Sequence, residues 1–322
     1  RWYKWAKWEG EWQDIRARSL QRLQFPFPEY RAGQRSMAVA VYRTIERGER
    51  LLCQAPTGTG KTVSALFPAL KAMGEYLADR IFYLTARSTT RLAAQQALEM
   101  LRTQPVRVKS VTLTARDKIC PMEQPLCQPD ACPYADGFYD RINDALLELL
   151  TNYDGFTREG IAQAAKKYRL CPYELELELS SWCDVIVGDY NHLFDPTACL
   201  RRFFSEPSEE NYVFLIDEAH NLVDRSRDMY SATIPRSRVL QALVAVGREG
   251  FRGTTLRKPL QQLEQLLEQL GEQAEGQDVV LDELPSKLVE AVDRCAERCE
   301  GWLKEHFDHS GRNQVAEFYL YL

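Results

Sequence analysis

Eight residues constrain this chain more than any others. Ala55-Pro56-Thr57-Gly58-Thr59-Gly60-Lys61-Thr62 stand between an apolar run at 51–54 and a segment of helical spacing at 63–77. Strand, glycine-bearing turn and helix in that order are the setting of a phosphate-binding loop. Glycine tolerates the backbone that turns successive N–H groups toward an anion, and the helix N-terminus adds partial positive charge. Thr57, Gly58, Thr59, Gly60, Lys61 and Thr62 are therefore expected to hold a nucleotide. Lys61 would reach the β- and γ-phosphates and the Thr62 hydroxyl would face Mg²⁺. The first position is Ala where the strict pattern has Gly.

The apolar runs at 51–54, 80–85, 106–113, 184–188 and 212–216 are short, and helical segments such as 63–77 and 90–102 lie between most of them. That alternation predicts an α/β fold with a parallel sheet covered by helices. The last run delivers Asp217-Glu218-Ala219-His220 to a strand end, where open α/β sheets place ligands. Asp217 is expected to hold Mg²⁺, directly or through water, and Glu218 to orient or deprotonate an attacking water. His220 is read as coupling the site to a neighbouring domain. Gln34, 27 residues before Lys61, offers an amide donor and acceptor that suit adenine.

Nine cysteines are an odd number for a disulfide scaffold. Cys120, Cys127, Cys132 and Cys171 follow the spacing C-x6-C-x4-C-x38-C, and three of them precede proline. Four thiolates suit a [4Fe–4S] cluster or a tetrahedral zinc, and the residues alone also leave open that no metal binds. Cys53 is expected in a strand, Cys183 beside one, Cys199 in a loop or helix, and Cys295 and Cys299 as a buried pair on one helix face.

The formal net charge is -5, so contact with nucleic acid requires local basic surface. Arg87 and Thr89 stand at one expected strand end, and Tyr190 and Asn191 at another, suiting backbone contact and base stacking. Arg107, Lys109, Arg116 and Lys118 add positive charge near the cysteines. Trp2, Trp5, Trp8 and Trp12 share a face of an expected helix over 1–24, read as packing against an upstream or neighbouring domain. After Thr233 the pattern is helical: a leucine stripe runs from Leu256 to Leu270 and a further helix is expected over 286–306. No run reaches the roughly 18 apolar residues of a membrane span, and no secretory signal is visible, so a cytoplasmic protein without membrane contact is expected. A start at Arg1 and an end inside the apolar run 318–322 read as a piece of a longer protein.

The Gln34 element, the phosphate loop, the strand end at 85–90, the four cysteines, Asp189-Tyr190-Asn191 and Asp217-Glu218-Ala219-His220 occur in one order. That order resembles the DinG/XPD-like iron–sulfur helicases of superfamily 2, particularly the bacterial DinG-like branch. The likeness spans roughly residues 25–233. It implies a RecA-like first motor domain at 25–112 and 184–233, preceded by a Trp-rich helix or linker at 1–24. An iron–sulfur insertion would span 113–183, and an incomplete helical Arch-like domain 234–322. It further implies ATP, Mg²⁺ and a [4Fe–4S] cluster on Cys120, Cys127, Cys132 and Cys171 as cofactors. Arg116 would touch DNA or brace the cluster. The expected activity is ATP-dependent translocation on single-stranded DNA, 5′ to 3′, with unwinding of forked or flapped duplexes in repair or replication. A second RecA-like domain would lie in the full-length chain, leaving this piece poorly active alone. Ser231-Ala232-Thr233 spells a helicase motif but stands too close to His220 to serve as one. A nucleic-acid-stimulated ATPase that remodels protein–DNA or RNA complexes without unwinding, and a non-catalytic interaction module, are the alternatives.

Overall fold

Strand β1 (Arg80–Leu84) shows how the sheet is built. Its side chains alternate: Ile81 and Tyr83 enter one core cluster, Phe82 and Leu84 another. A strand buried on both faces belongs in the middle of a helix-covered parallel sheet. The structure, a computed structural model, describes residues 2–56, 58–123, 127–247, 256–306 and 309–322, with side chains from Trp8 onward. The other strands are β2 (Ser110–Thr112), β3 (Gly155–Phe156), β4 (Val185–Gly188) and β5 (Tyr212–Ile216). They form one sheet in the order β3-β2-β4-β1-β5, parallel throughout. Leu84 is in register with both Gly188 and Ile216, so the residues after β1, β4 and β5 emerge at one end.

The chain divides into two compact units, Arg1–Met229 and Tyr230–Leu322. In the first, α1 (Trp2–Gln21), α2 (Gln34–Arg47), α3 (Lys61–Gly74) and α4 (Ser88–Leu101) precede β2. Leu66, Leu70 and Met73 of α3 and Leu98 of α4 meet Ile81, Val185 and Val187 on one sheet face. On the other face lie α6 (Phe138–Asn152), α7 (Arg158–Tyr168) and α8 (Pro172–Ser180), after the short α5 (Arg116–Ile119). Ile142, Leu146, Leu149, Ile161 and Leu175 there share the core of Phe82, Leu84 and Ile186. The short helices α9 (Asn191–Phe194) and α10 (Arg201–Phe204) follow β4, and α11 (Leu222–Met229) follows β5.

Two strand expectations change. Residues 51–54 form no strand: Leu52 is 96% exposed and Cys53, expected in a strand, is also exposed. The backbone there finds no ladder partner, because the sheet ends at β5, which carries β1 on its other side. The run 106–113 contributes only Ser110–Thr112, and β3, which no apolar run announces, pairs with it through Ser110–Gly155 and Val111–Phe156.

Helix α1 closes the opposite end of the sheet. Arg16 Nη1 binds Asp184 Oδ1 at 2.7 Å, with both side chains under 9% exposed. Trp12 Nε1 donates to the same carboxylate at 3.3 Å, and the Lys109 backbone N–H donates to it at 2.6 Å. Lys109 Nζ lies 4.1 Å from the centroid of Trp12 and 3.0 Å from Asp154 Oδ1. Burial lowers the pKa of this ammonium, against the pull of Asp154. Trp8 stacks on Trp12 and meets Trp182 edge-on. Trp8 and Trp12 thus pack inside their own unit, where their indoles cover charges buried at the sheet end. Trp2 and Trp5 lie outside the described side chains.

The second unit is a helical cluster of α12 (Arg236–Gly247), α13 (Arg257–Gln273), α14 (Ser286–Glu305) and α15 (Arg312–Tyr319). Leu256, Leu260 and Leu263 of the leucine stripe are fully buried with Cys295, Cys299, Trp302 and Phe318. Burial pushes the thiols of Cys295 and Cys299 up to about 12, which suits apolar packing rather than ligation. Ser231-Ala232-Thr233 lies in irregular chain at the start of this unit.

Candidate nucleotide site

The phosphate loop is set by two glycines in the left-handed region, Gly58 at φ +78° and Gly60 at φ +77°. Only glycine adopts that backbone without strain. Gly60 also N-caps α3, so Lys61 and Thr62 are the first residues of a helix whose free N–H groups face the loop. Thr57 lies outside the described residues. Thr59 Oγ1 donates to Pro56 O at 2.8 Å, and Ser64 Oγ to Gly60 O at 3.0 Å.

The segment before α2 braces the loop from outside. Arg31 Nη1 donates to Gly58 O at 3.0 Å. Gln34, expected to read adenine, is only 3% exposed. Its Nε2 donates to Thr59 O at 2.8 Å, while Oε1 accepts from the Arg31 N–H at 2.8 Å. Both ends of the amide are thus engaged, one by the loop and one by the backbone before α2. A cleft of about 310 Å³ adjoins it, lined among others by Gly33, Gln34, Met37, Cys53 and Pro56.

Strand β5 carries the acidic pair to the same place. The Asp217 N–H continues the ladder onto Leu84 O at 2.9 Å. Lys61 Nζ binds Glu218 Oε1 at 2.8 Å across 157 residues of sequence. This bond holds the Glu218 carboxyl below its ordinary pKa, with smaller help from Lys61's charge, His220 and Arg87. Glu218 has φ +53°, a strained backbone for a residue with a Cβ, and His220 Nδ1 lies 3.4 Å from its Oε2. The hydroxyl of Tyr83 on β1 lies 2.9 Å from Asp217 Oδ2 and 3.5 Å from Thr62 Oγ1. The structure therefore brings Lys61, Thr62, Asp217 and Glu218 together. Two hard oxygen donors converging on one hydroxyl fit Mg²⁺, which uses one or two protein oxygens beside phosphate and water. Tyr83 and Arg31 were not singled out by sequence. The one available signal was a phenol placed at the inward parity of an apolar strand.

The nucleic-acid candidates separate. Arg87 and Thr89 are exposed at the start of α4, beside β1's end. Asn191 accepts from Arg225 Nη2 at 2.7 Å, and Arg225 also binds Asp189 at 2.9 Å. The Arg116 guanidinium is exposed and lies 4.7 Å over the ring of Tyr173. Tyr190, expected to offer a stacking face, is fully buried. Its hydroxyl shares one proton between the carbonyl oxygens of Asp217, the nearer, and Glu218, so the ring supports the acidic turn from within. Burial and those acids push its pKa up to about 12.

The four cysteines differ in exposure. Cys127 is exposed, Cys132 buried, and Cys120 and Cys171 half-buried. Cys171 stands at the start of α8, its N–H donating to Tyr134 O at 3.1 Å. Its thiol pKa is raised chiefly by burial, against backbone hydrogen bonds from Glu174 and Tyr173, with the charges of Glu174 and Cys120 adding a little. Among the described residues no three His, Cys, Asp or Glu side chains could hold a metal ion, so the expected iron–sulfur geometry is absent there.

A phosphate loop facing an Asp-Glu strand end on a parallel sheet is the arrangement that P-loop nucleotide sites use. The DEAD/DEAH box helicase family model matches residues 34–132, and the DEAD_2 model matches residues 104–239. The chain is similar to the regulator of telomere elongation helicase 1 homolog of Anopheles gambiae, at 24% identity over 69% of this chain and 27% of that protein. It is also similar to the general transcription and DNA repair factor IIH helicase subunit XPD/RAD3 of Saccharomyces cerevisiae, at 23% identity over 62% of this chain and 29% of that protein. The chain thus spans under a third of the length of these relatives. A solved structure of a truncated XPD shares the fold with a TM-score of 0.53 at 17% identity, covering 88% of this chain and 80% of that one. A solved XPD helicase gives 0.51 at 19% identity, over 91% and 51%. Family models, relatives and fold together support an XPD/DinG-like superfamily 2 helicase motor segment.

Proposed function

We propose that this chain supplies the first motor half of an ATP-driven DNA helicase that moves 5′ to 3′ on single-stranded DNA and opens forked or flapped duplexes. The observation that carries the reading is the Lys61–Glu218 ion pair, which brings the phosphate loop against the acidic strand end. In this reading Lys61 passes from Glu218 to the β- and γ-phosphates when nucleotide enters. Release of Lys61 removes the main cause of the lowered Glu218 pKa, so the freed carboxylate is a stronger base and accepts a proton from the attacking water. Thr62 and Asp217 would hold Mg²⁺, which neutralises charge on the transferring phosphate. Gln34 would meet adenine after exchanging a loop hydrogen bond for the base. Arg87 and Thr89 are the proposed contacts to the DNA backbone, with Arg116 and Asn191 as further ones. A second RecA-like domain would complete the site.

Cys120, Cys127, Cys132 and Cys171 are the proposed ligands of a [4Fe–4S] cluster. Their number, their prolines and the family likeness support this. Such a group would tie α5 and α8 together as a rigid element. Iron and acid-labile sulfide in protein purified without oxygen, lost in Cys120→Ser, is the expected result. A colourless protein containing zinc would overturn it.

Strand displacement by the full-length protein, on forked DNA with ATP, tests the function itself. Unwinding that disappears in Lys61→Ala is expected. DNA-stimulated hydrolysis without strand displacement would instead favour remodelling by translocation.

A further inference from the structure

We propose that Tyr83 is a positioning residue of the metal–nucleotide site, orienting the Asp217 carboxylate and keeping the Thr62 hydroxyl in register with it. This rests on the reading of Thr62 and Asp217 as the metal-facing pair.

The placement follows from strand geometry. Tyr83 is in register with Leu215, and Asp217 lies two residues beyond, on the same face of the sheet. Ile81, two residues before Tyr83, packs with Val63 and Leu66 of α3, the helix that Lys61 and Thr62 begin. The Tyr83 ring is therefore directed under the start of α3. Tyr83 is 2% exposed, and the strand around it is otherwise apolar: Ile81, Phe82 and Leu84. Packing alone would be met by phenylalanine, and a buried hydroxyl is costly unless it is bonded. This hydroxyl lies 2.9 Å from Asp217 Oδ2 and 3.5 Å from Thr62 Oγ1, so it spans the two residues whose oxygens would face the cation.

A phenol has one proton to give. The carboxylate is the better acceptor and the closer one, which leaves the phenol oxygen to accept from Thr62. A phenol titrates at about 10, so the group is a neutral donor in the physiological range. Donation to Oδ2 restricts carboxylate rotation and leaves Oδ1 for a cation. A ligand's outer hydrogen-bond partner does this at metal sites generally.

The test is Tyr83→Phe in the full-length protein, which keeps the ring and removes one oxygen. Binding of a fluorescent N-methylanthraniloyl-ATP is titrated at increasing Mg²⁺. Nucleotide binding without Mg²⁺ should be unchanged. The Mg²⁺ concentration that half-saturates the Mg²⁺-dependent tightening should rise about 10–100-fold, and high Mg²⁺ should restore wild-type affinity. In an Asp217→Asn background the same substitution should add almost nothing, because the two act through one contact. A Tyr83→Phe titration that superimposes on wild type, or effects that simply add with Asp217→Asn, would overturn the proposal. If wild type itself shows no Mg²⁺-dependent ATP binding, the reading of Thr62 and Asp217 fails first. If wild type does and Tyr83→Phe matches it, Tyr83 alone is misassigned.

Discussion

At the scale of residues, backbone conformation and burial decide what each side chain is free to do. Gly60 sits at φ +77°, and a Cβ there would run into the Gln34 amide. Gly60→Ala is therefore expected to cost about 1–3 kcal/mol of stability and at least tenfold in ATP affinity. A thermal melt and a nucleotide titration check the two effects. Glu176 on α8 makes a different case. It is fully buried; Oε1 accepts from the Thr114 N–H at 2.8 Å and Oε2 has no hydrogen-bond partner. Burial pushes its carboxyl from 4.5 to about 8, against the Thr114 bond and the charge of Arg91. The folded chain then keeps a proton that the unfolded chain loses above 4.5, so stability falls as pH rises from about 4.5 to 8. Glu176→Gln keeps the shape without the proton. It should match wild type near pH 4.5 and exceed it by a few kcal/mol near pH 8. Equal melting curves for the two proteins across that range would show that Glu176 does not carry this pH dependence.

Among elements, α1 and the acidic turn show how contacts distant in sequence secure the site. Arg16 and Asp184 are 168 residues apart and pair at 2.7 Å under the sheet end opposite the phosphate loop. Removing one partner of a buried pair strands the other charge, so Arg16→Ala should cost about 3–5 kcal/mol in chemical denaturation. A loss under about 1 kcal/mol would place α1 outside the motor fold's stability. Cys120 and Cys171 were recognisable as a pattern, yet whether α5 and α8 present them to one ion is a matter of side-chain burial, which spacing does not encode. Tyr190 is similar. An aromatic at a strand end reads as a stacking surface, but the chain after β4 turns it inward, where its hydroxyl holds the backbone of Asp217 and Glu218.

For the whole molecule, local patterns were legible and long-range ones were not. The phosphate loop could be read because its glycines, lysine and helix start lie within eight residues. β5 could be read because its five apolar residues, β-branched and aromatic among them, end on two acids. The run 51–54 is also mostly apolar but pairs with no strand among the described residues, and composition cannot supply a ladder partner. Tyr83 meets Asp217 across 134 residues, a contact that only the strand register reveals. Glu218 was expected to face water, and its resting contact with Lys61 came from the fold. That contact bears most directly on the central claim, so the deciding measurement compares wild type with Glu218→Gln in the full-length protein. ATP hydrolysis with and without single-stranded DNA is measured alongside ATP binding. Glu218→Gln should bind Mg-ATP at least as tightly as wild type, because Lys61 is released, while hydrolysis falls about 10²–10⁴-fold. Hydrolysis at the wild-type rate would contradict the assignment of this site as the motor's catalytic centre.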